Sequence, residues 1–423
     1  MTSTTLDPTT HPPAAQPRGG RPPLIDVQRM QPEVAVAFLV EHAVNAGASD
    51  LFFLAEETHL CVKIRHLGIV QEVAHIPMEM GRRCLSHIRA NASMDLTERR
   101  RPIDGRWIYR KPDGQIIDLR INCIPAMYGE DVAIRLLVRS HALLSMDRLG
   151  MTARQLVDYQ AMTDSPSGLI LITGPTGSGK TATLYSSLSR LNDGRRKINT
   201  IEDPVEYAID GLRQSQVNPA VDLGFAELLR AVLRQSPDVI MIGEIRDQET
   251  ARTAVHAANS GVVVLATLHS PSTATAIQAM RAWGVHNHFL ATSLRGIVSQ
   301  RLVRTLDPET RVAYDLPASP GTFDEVRHLL GEGEGTRLFA ARPAESNQFT
   351  GYTGRTGVFE VMSITPAIRN LVSDGAPARE IRAKAIQEHM LEFRLSALLK
   401  VAQGVTTMEE VFRVIPTEHL LEE

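Results

Sequence analysis

Cysteine is scarce in this chain. Only Cys61, Cys84 and Cys123 occur among 423 residues, none in a C-x-x-C pair and none beyond position 123. That spacing supports neither a disulfide framework nor a cysteine zinc site. Reduced, buried thiols are the expected state. Long apolar runs are missing too. A bilayer span needs about 20 consecutive apolar residues, whereas the runs at 169–172 and 262–268 are strand-sized. Charge of one sign is also lacking. A formal net charge of -3 leaves no electrostatic footprint for general nucleic-acid binding. Residues 1–23 are rich in Pro and Thr and carry no apolar core of a signal peptide. A disordered tail is expected over residues 1–30, and the protein is expected to be cytosolic.

What is present is ordinary globular composition, with 43% hydrophobic and 22% charged residues. The length exceeds what one core usually supports, so two or three folded units are expected. Val34, Phe38 and Val44 recur near helical spacing, and Gly47 stops the run. Strand-like stretches follow at 51–54, 60–64 and 116–121, with a turn signal at Pro112-Asp113-Gly114. Together they read as a small α/β domain over residues 31–140. Residues 141–160 read as a linker, in which 145–151 resembles a hinge more than a core element. From 161 to 423 the pattern changes. Apolar runs at 169–173, 239–242 and 262–267 alternate with helical stretches at 180–191 and 247–259. That alternation indicates a mostly parallel sheet covered on both faces. Residues 307–348 read as an irregular insertion. Helical periodicity returns beyond Val361, at 381–385 and 391–401.

Gly174-Pro175-Thr176-Gly177-Ser178-Gly179-Lys180-Thr181 fits the P-loop pattern G-x-x-x-x-G-K-[ST]. Glycines let backbone N–H groups curl around a phosphate chain without Cβ clashes. The helix that follows adds its positive end. Lys180 is placed to reach the β- and γ-phosphates, and the Thr181 hydroxyl to ligate Mg²⁺. An acid, Glu244, ends the apolar run 239–242 after Gly243. There it either polarises an attacking water or is simply a solvated strand end. The turn from Thr200 to Glu206 packs three carboxylates, Glu202, Asp203 and Glu206, into five residues. They repel one another unless solvated or beside a cation such as that of Mg-ATP. His269 follows another apolar run and reads as a γ-phosphate sensor or as a satisfied polar residue.

These motifs, in this order, resemble the ATPases that drive type II secretion and type IV pilus assembly. The resemblance rests on the P-loop, the acidic box from Thr200 to Glu206, the stretch from Gly243 to Ala251, and Thr267-Leu268-His269-Ser270. It extends to Ser299-Gln300-Arg301-Leu302, to the stretch from Gly354 to Val361, and to that from Gly404 to Val411. It implies an α/β fold: a RecA-like P-loop motor preceded by a small α/β domain and ending in a helical region. It also implies an ATP-hydrolysing motor that binds ATP and Mg²⁺ and forms a homo-oligomer, usually a hexameric ring. The implied partner is an inner-membrane platform protein, through which a cytoplasmic chain reaches the membrane. Residue by residue, it implies phosphate binding by Lys180 and Thr181, a catalytic base at Glu244, and a water- and metal-proximal acid at Glu206. His269 matches the γ-phosphate sensor, and Arg120 and Arg135 match first-domain arginines that approach the phosphates.

The departures from the pattern are local. Leu51-Phe52-Phe53-Leu54 stands where alternating His and Glu are usual, Arg65-His66-Leu67-Gly68 where R-x-D-G is usual, and Ile103 where Gln is usual. Many relatives carry a four-cysteine zinc module in the region matching 307–348; this chain has no cysteine there, so a chain without zinc is expected. Many also begin with an extra docking domain, and here only the short tail takes that place. Alternative readings are a pilus-retraction or DNA-uptake motor, or an ATP-binding assembly scaffold. The intact Lys180, Glu206 and Glu244 argue against the scaffold.

Overall fold

The structure, a computed structural model, describes residues 23–138, 145–315 and 323–416. The first domain opens with helix α1 (Pro32–Asn45), which starts on a proline, a residue suited to a first helical turn. Ala35, Val36, Leu39, Val40 and Ala43 form its buried stripe. Val34 and Phe38 lie one position out of phase with that stripe, about 100° around the helix, and are 56% and 41% exposed. The helix is therefore where the sequence spacing placed it, but its buried face is a different one.

Strands β1 (Asp50–Ala55), β2 (His59–His66), β3 (Ile69–Pro77), β4 (Ile103–Arg110), β5 (Ile116–Ala126) and β6 (Gly129–Val138) form one sheet in the order β3-β2-β1-β6-β5-β4. Every pairing in it is antiparallel. Helix α2 (Met78–Asn91) and α1 cover one face. Residues 1–22 of the expected tail lie outside the described residues. The rest of that stretch is ordered into the domain: Ile25 N–H donates to the Val73 carbonyl at 2.8 Å, and Val27 is fully buried.

The motor follows. Its elements are α3 (Ala153–Thr163), β7 (Gly168–Thr173), α4 (Lys180–Leu191), β8 (Ile198–Glu202), β9 (Arg213–Gln216), α5 (Phe225–Leu233), β10 (Val239–Ile242), α6 (Gln248–Asn259), β11 (Val263–Leu268), α7 (Thr273–Ala282), α8 (Asn287–Ser293) and β12 (Leu294–Leu306). With β15 (Tyr352–Ser363), after β13 (Val312–Asp315) and β14 (Arg337–Ala340), the large sheet has seven strands in the order β15-β12-β7-β11-β10-β8-β9. All neighbours are parallel except β12 and β15.

The central strands are buried along their whole length, which explains why they read as continuous apolar runs. Alternate residues feed two cores. Leu169, Leu171, Ile240 and Ile242 pack under α5 to α8, while Ile170, Ile172, Val239 and Met241 pack under α3 and α4. Residues 145–151, read as a hinge, belong to the second core: Met146 and Leu149 are buried there, and Gly357 N–H donates to the Leu149 carbonyl at 2.9 Å. The insertion is less irregular than expected, because β13 and β14 pair antiparallel in a small sheet of their own. Helices α9 (Pro366–Ser373), α10 (Ala378–Gln387), α11 (Phe393–Ala402) and α12 (Met408–Val414) complete the chain. Among the described residues no helix is long and apolar enough to cross a membrane.

Candidate nucleotide site

Parallel strands all present their carboxyl ends at one edge of a sheet. Here β7, β11, β10 and β8 are consecutive neighbours. The P-loop follows β7, His269 follows β11, Glu244 follows β10 and the acidic turn follows β8. Four motifs scattered over about a hundred positions therefore meet at one edge. They line a cleft of about 1140 Å³ whose opposite wall comes from the first domain, including Asp50, Arg65 and Arg135.

The P-loop conformation depends on its glycines. Gly174 has φ +148°, and a Cβ there would lie 2.5 Å from the Gln300 carbonyl oxygen. Gly179, at φ +89°, immediately precedes α4. Lys180 Nζ donates to the carbonyls of Gly174 (2.7 Å) and Pro175 (3.1 Å). Burial pushes its ammonium down to about 8; Glu244 pulls the other way and Arg301 adds to the depression. The Ser178 hydroxyl is buried without a partner. An amine held only by backbone carbonyls, an orphaned hydroxyl and a glycine cradle at a helix start fit a phosphate chain with its Mg²⁺.

Glu244 is largely buried and held from two sides. Its Oε1 lies 2.9 Å from His269 Nε2, and its Oε2 accepts from Arg246 Nε at 2.5 Å. His269 Nδ1 lies 3.2 Å from the Gly174 carbonyl, so one imidazole joins the P-loop to the acid of the neighbouring strand. Asp247, next in that stretch, caps α6 by accepting from Thr250 N–H at 2.8 Å.

The three acidic-box carboxylates have separate surroundings. Glu202 is 3% exposed, and among the described residues no salt bridge to it is found. Hydrogen bonds from Tyr185, Thr200 and Gln214 satisfy it instead. Asp203 pairs with Arg246 at 3.3 Å. Burial pushes the Glu206 carboxyl up, while Arg120 and Arg135 oppose the shift. Arg120 Nη2 donates to the Val205 carbonyl at 3.3 Å from beside the cleft. Arg135 lines the cleft itself, with its Nε 3.6 Å from Asp50 Oδ1. Arg65 shares that aspartate at 3.2 Å. The replaced Leu51 and Phe53 are core residues, whereas Phe52 lines the cleft beneath the Arg65 guanidinium.

Sequence reasoning assigned no role to Gln300, Arg301 or Arg355. Strand β12 runs parallel to β7 with Ser299 opposite Thr173, so Gln300 and Arg301 emerge level with the P-loop. Gln300 donates to the Ser178 carbonyl and accepts from the Thr183 hydroxyl, both at 2.8 Å. Arg301 is 4% exposed, and Arg355 lines the cleft. The stretches that contain these residues were visible as motifs. Their placement depended on strand order.

Residues 29–413 match the family model described as type II/IV secretion system protein. The type II secretion system protein E of Dickeya dadantii is 40% identical over 380 residues, covering 90% of this chain and 75% of that one. The type IV pilus assembly ATPase PilB of Pseudomonas aeruginosa is 39% identical over 377 residues, covering 88% and 65%. Among solved structures, the Legionella pneumophila ATPase DotB superposes with a TM-score of 0.69 at 20% identity, covering 92% of this chain and 96% of that one. The pilus retraction motor PilT with bound ADP gives a TM-score of 0.59 at 24% identity, covering 89% and 96%. These two likenesses concern the fold, a RecA-like motor behind a small α/β domain.

Proposed function

The chain belongs to the type II/IV secretion system protein family and is a nucleotide-binding ATPase of that family; we propose that it hydrolyses Mg-ATP in the cleft between its two domains to power type II secretion or type IV pilus assembly. The observation that carries this reading is the convergence of the P-loop, Glu244 and His269 at the carboxyl ends of three neighbouring strands.

In this mechanism the backbone N–H groups from Thr176 to Gly179 and the Lys180 ammonium hold the β- and γ-phosphates. The Thr181 hydroxyl and the Glu206 carboxylate would hold Mg²⁺. That ion, when bound, spreads the charge that develops on the transferring phosphoryl oxygens. Glu244 accepts the proton of the attacking water, and Arg246 and His269 fix its orientation. His269 reports the γ-phosphate through its position between Gly174 and Glu244. Arg120 and Arg135, on the first domain, neutralise charge when that domain closes. A nucleotide moves a domain only by contacting its two states differently, and these arginines supply the difference.

The working form is a homo-oligomer, a hexameric ring, in the cytoplasm and docked to an inner-membrane platform protein of the machine. The test is ATP hydrolysis as a function of protein concentration, with and without Mg²⁺. Activity should vanish in EDTA, and activity per chain should rise with concentration. Constant activity per chain in a proven monomer would contradict the ring.

A further inference from the structure

Three side chains of types that can ligate a metal lie close together outside the nucleotide cleft, on the sheet of the first domain. In β2, residues alternate between faces. Leu60, Val62 and Ile64 point into the domain's core, so His59 and Cys61 point away from it. Cys61 is nevertheless 1% exposed. Its cover includes His75, which sits directly opposite it on β3, and His59, whose ring centroid is 4.3 Å from that of His75. One ring nitrogen of each histidine and Cys61 Sγ all lie within 4.8 Å of one another.

A fourth group arrives through an irregularity of the sheet. The register of β2 and β3 shifts between Val62 and Lys63, leaving Val73 unopposed. Glu72 and His75 are an odd number of residues apart and would face opposite ways on a regular strand. The bulge returns Glu72 to the face of His75, where the two side chains pair. Glu56 lies 3.5 Å from His59 Nε2, the kind of carboxylate that orients a ligating imidazole.

We propose that His59, Cys61, His75 and Glu72 form a zinc-binding site on the outer face of the first domain. Zinc takes such mixed N, S and O ligands tetrahedrally, at about 2.0–2.3 Å. Ligand atoms around one ion are then roughly 3.3–3.8 Å apart, so the His59, Cys61 and His75 atoms need to close in by about an ångström, and Glu72 has to turn from its pairing with His75 toward the ion. Because β3 is the edge strand of its sheet, the ion would clip the edge hairpin shut. The sequence expectation of a chain without zinc rested on spacing along the chain. Here the ligands come from two strands and meet only through their register.

The test uses the full-length chain, stripped of metal and titrated with zinc sulfate or cobalt(II) chloride. One equivalent of zinc should remain after dialysis, and the thermal midpoint should rise. Bound cobalt should show thiolate-to-metal charge-transfer absorption, which the nucleotide site cannot give because it has no cysteine. His75→Gln and Cys61→Ser should each weaken zinc binding at least tenfold, whereas Lys180→Ala should leave it unchanged. If the wild-type chain gives no thiolate absorption with cobalt, or if His75→Gln retains full zinc affinity, the site does not exist. The cobalt spectrum needs no variant, so it decides the matter even if Cys61→Ser fails to fold.

Discussion

Glu244 and His269 meet across the ends of two adjacent parallel strands, with His269 Nε2 2.9 Å from Glu244 Oε1. Because His269 also lies 3.2 Å from the Gly174 carbonyl, it spans from the acid to the P-loop. In the mechanism proposed above, a phosphate entering the loop changes what the imidazole faces, and this couples recognition of the nucleotide to activation of water.

Lys180 gives the first prediction. Its ammonium, lowered by burial to about 8, is the form that phosphate favours. Above that pH the amine is neutral, and nucleotide binding must recruit a proton. ATP affinity should be flat near pH 7 and fall by up to about tenfold per unit above pH 8. Lys180→Ala should bind weakly, without this dependence. Fluorescent-nucleotide titrations from neutral to alkaline pH provide the check.

Arg120 and Arg135 face a Glu206 whose carboxyl burial has already raised. Removing either cation removes an opposing influence, so the Glu206 pKa should rise further. The acid limb of the pH–rate profile should then move to higher pH in Arg120→Ala and Arg135→Ala. Turnover at neutral pH should fall more than ATP affinity. A profile that does not move in either variant would separate these arginines from the site.

Gln300 offers a test of P-loop support. Gln300→Ala would orphan the buried Thr183 hydroxyl and the Ser178 carbonyl, which now share its amide. Leaving such groups unpaired costs about 1–3 kcal/mol. Urea unfolding should register that loss, and ATP affinity should drop because the Ser178–Gly179 backbone is no longer fixed. Unchanged stability would mean that the loop holds its shape alone.

Whether a feature was legible in the sequence depended on how local its cause was. The P-loop reads directly, because its glycines meet a backbone requirement within eight consecutive residues. Strands β7, β10 and β11 were also plain, since burial on both faces leaves an unbroken apolar run. The supporting role of Gln300 and the placement of Arg301 were hidden, because they depend on β12 lying beside β7 with Ser299 opposite Thr173. Helix α1 was legible but its inward face was not, because small alanines at 35 and 43 fill the stripe while the bulkier Val34 and Phe38 remain outside. The acidic box was expected to be solvated or beside a cation, whereas the buried Glu202 is satisfied by three hydrogen bonds. The trio of His59, Cys61 and His75 depends on the pairing of two strands, which spacing along one of them does not reveal.

The central claim is that Glu244 activates the water that attacks ATP, and Glu244→Gln tests it most directly. The amide keeps the size and the hydrogen-bonding reach of the side chain but cannot accept the water's proton. Equilibrium ATP affinity and steady-state hydrolysis, measured on the same preparation, should diverge. The account predicts affinity within a few-fold of wild type and turnover lower by at least about a hundredfold. Turnover at the wild-type rate would contradict it.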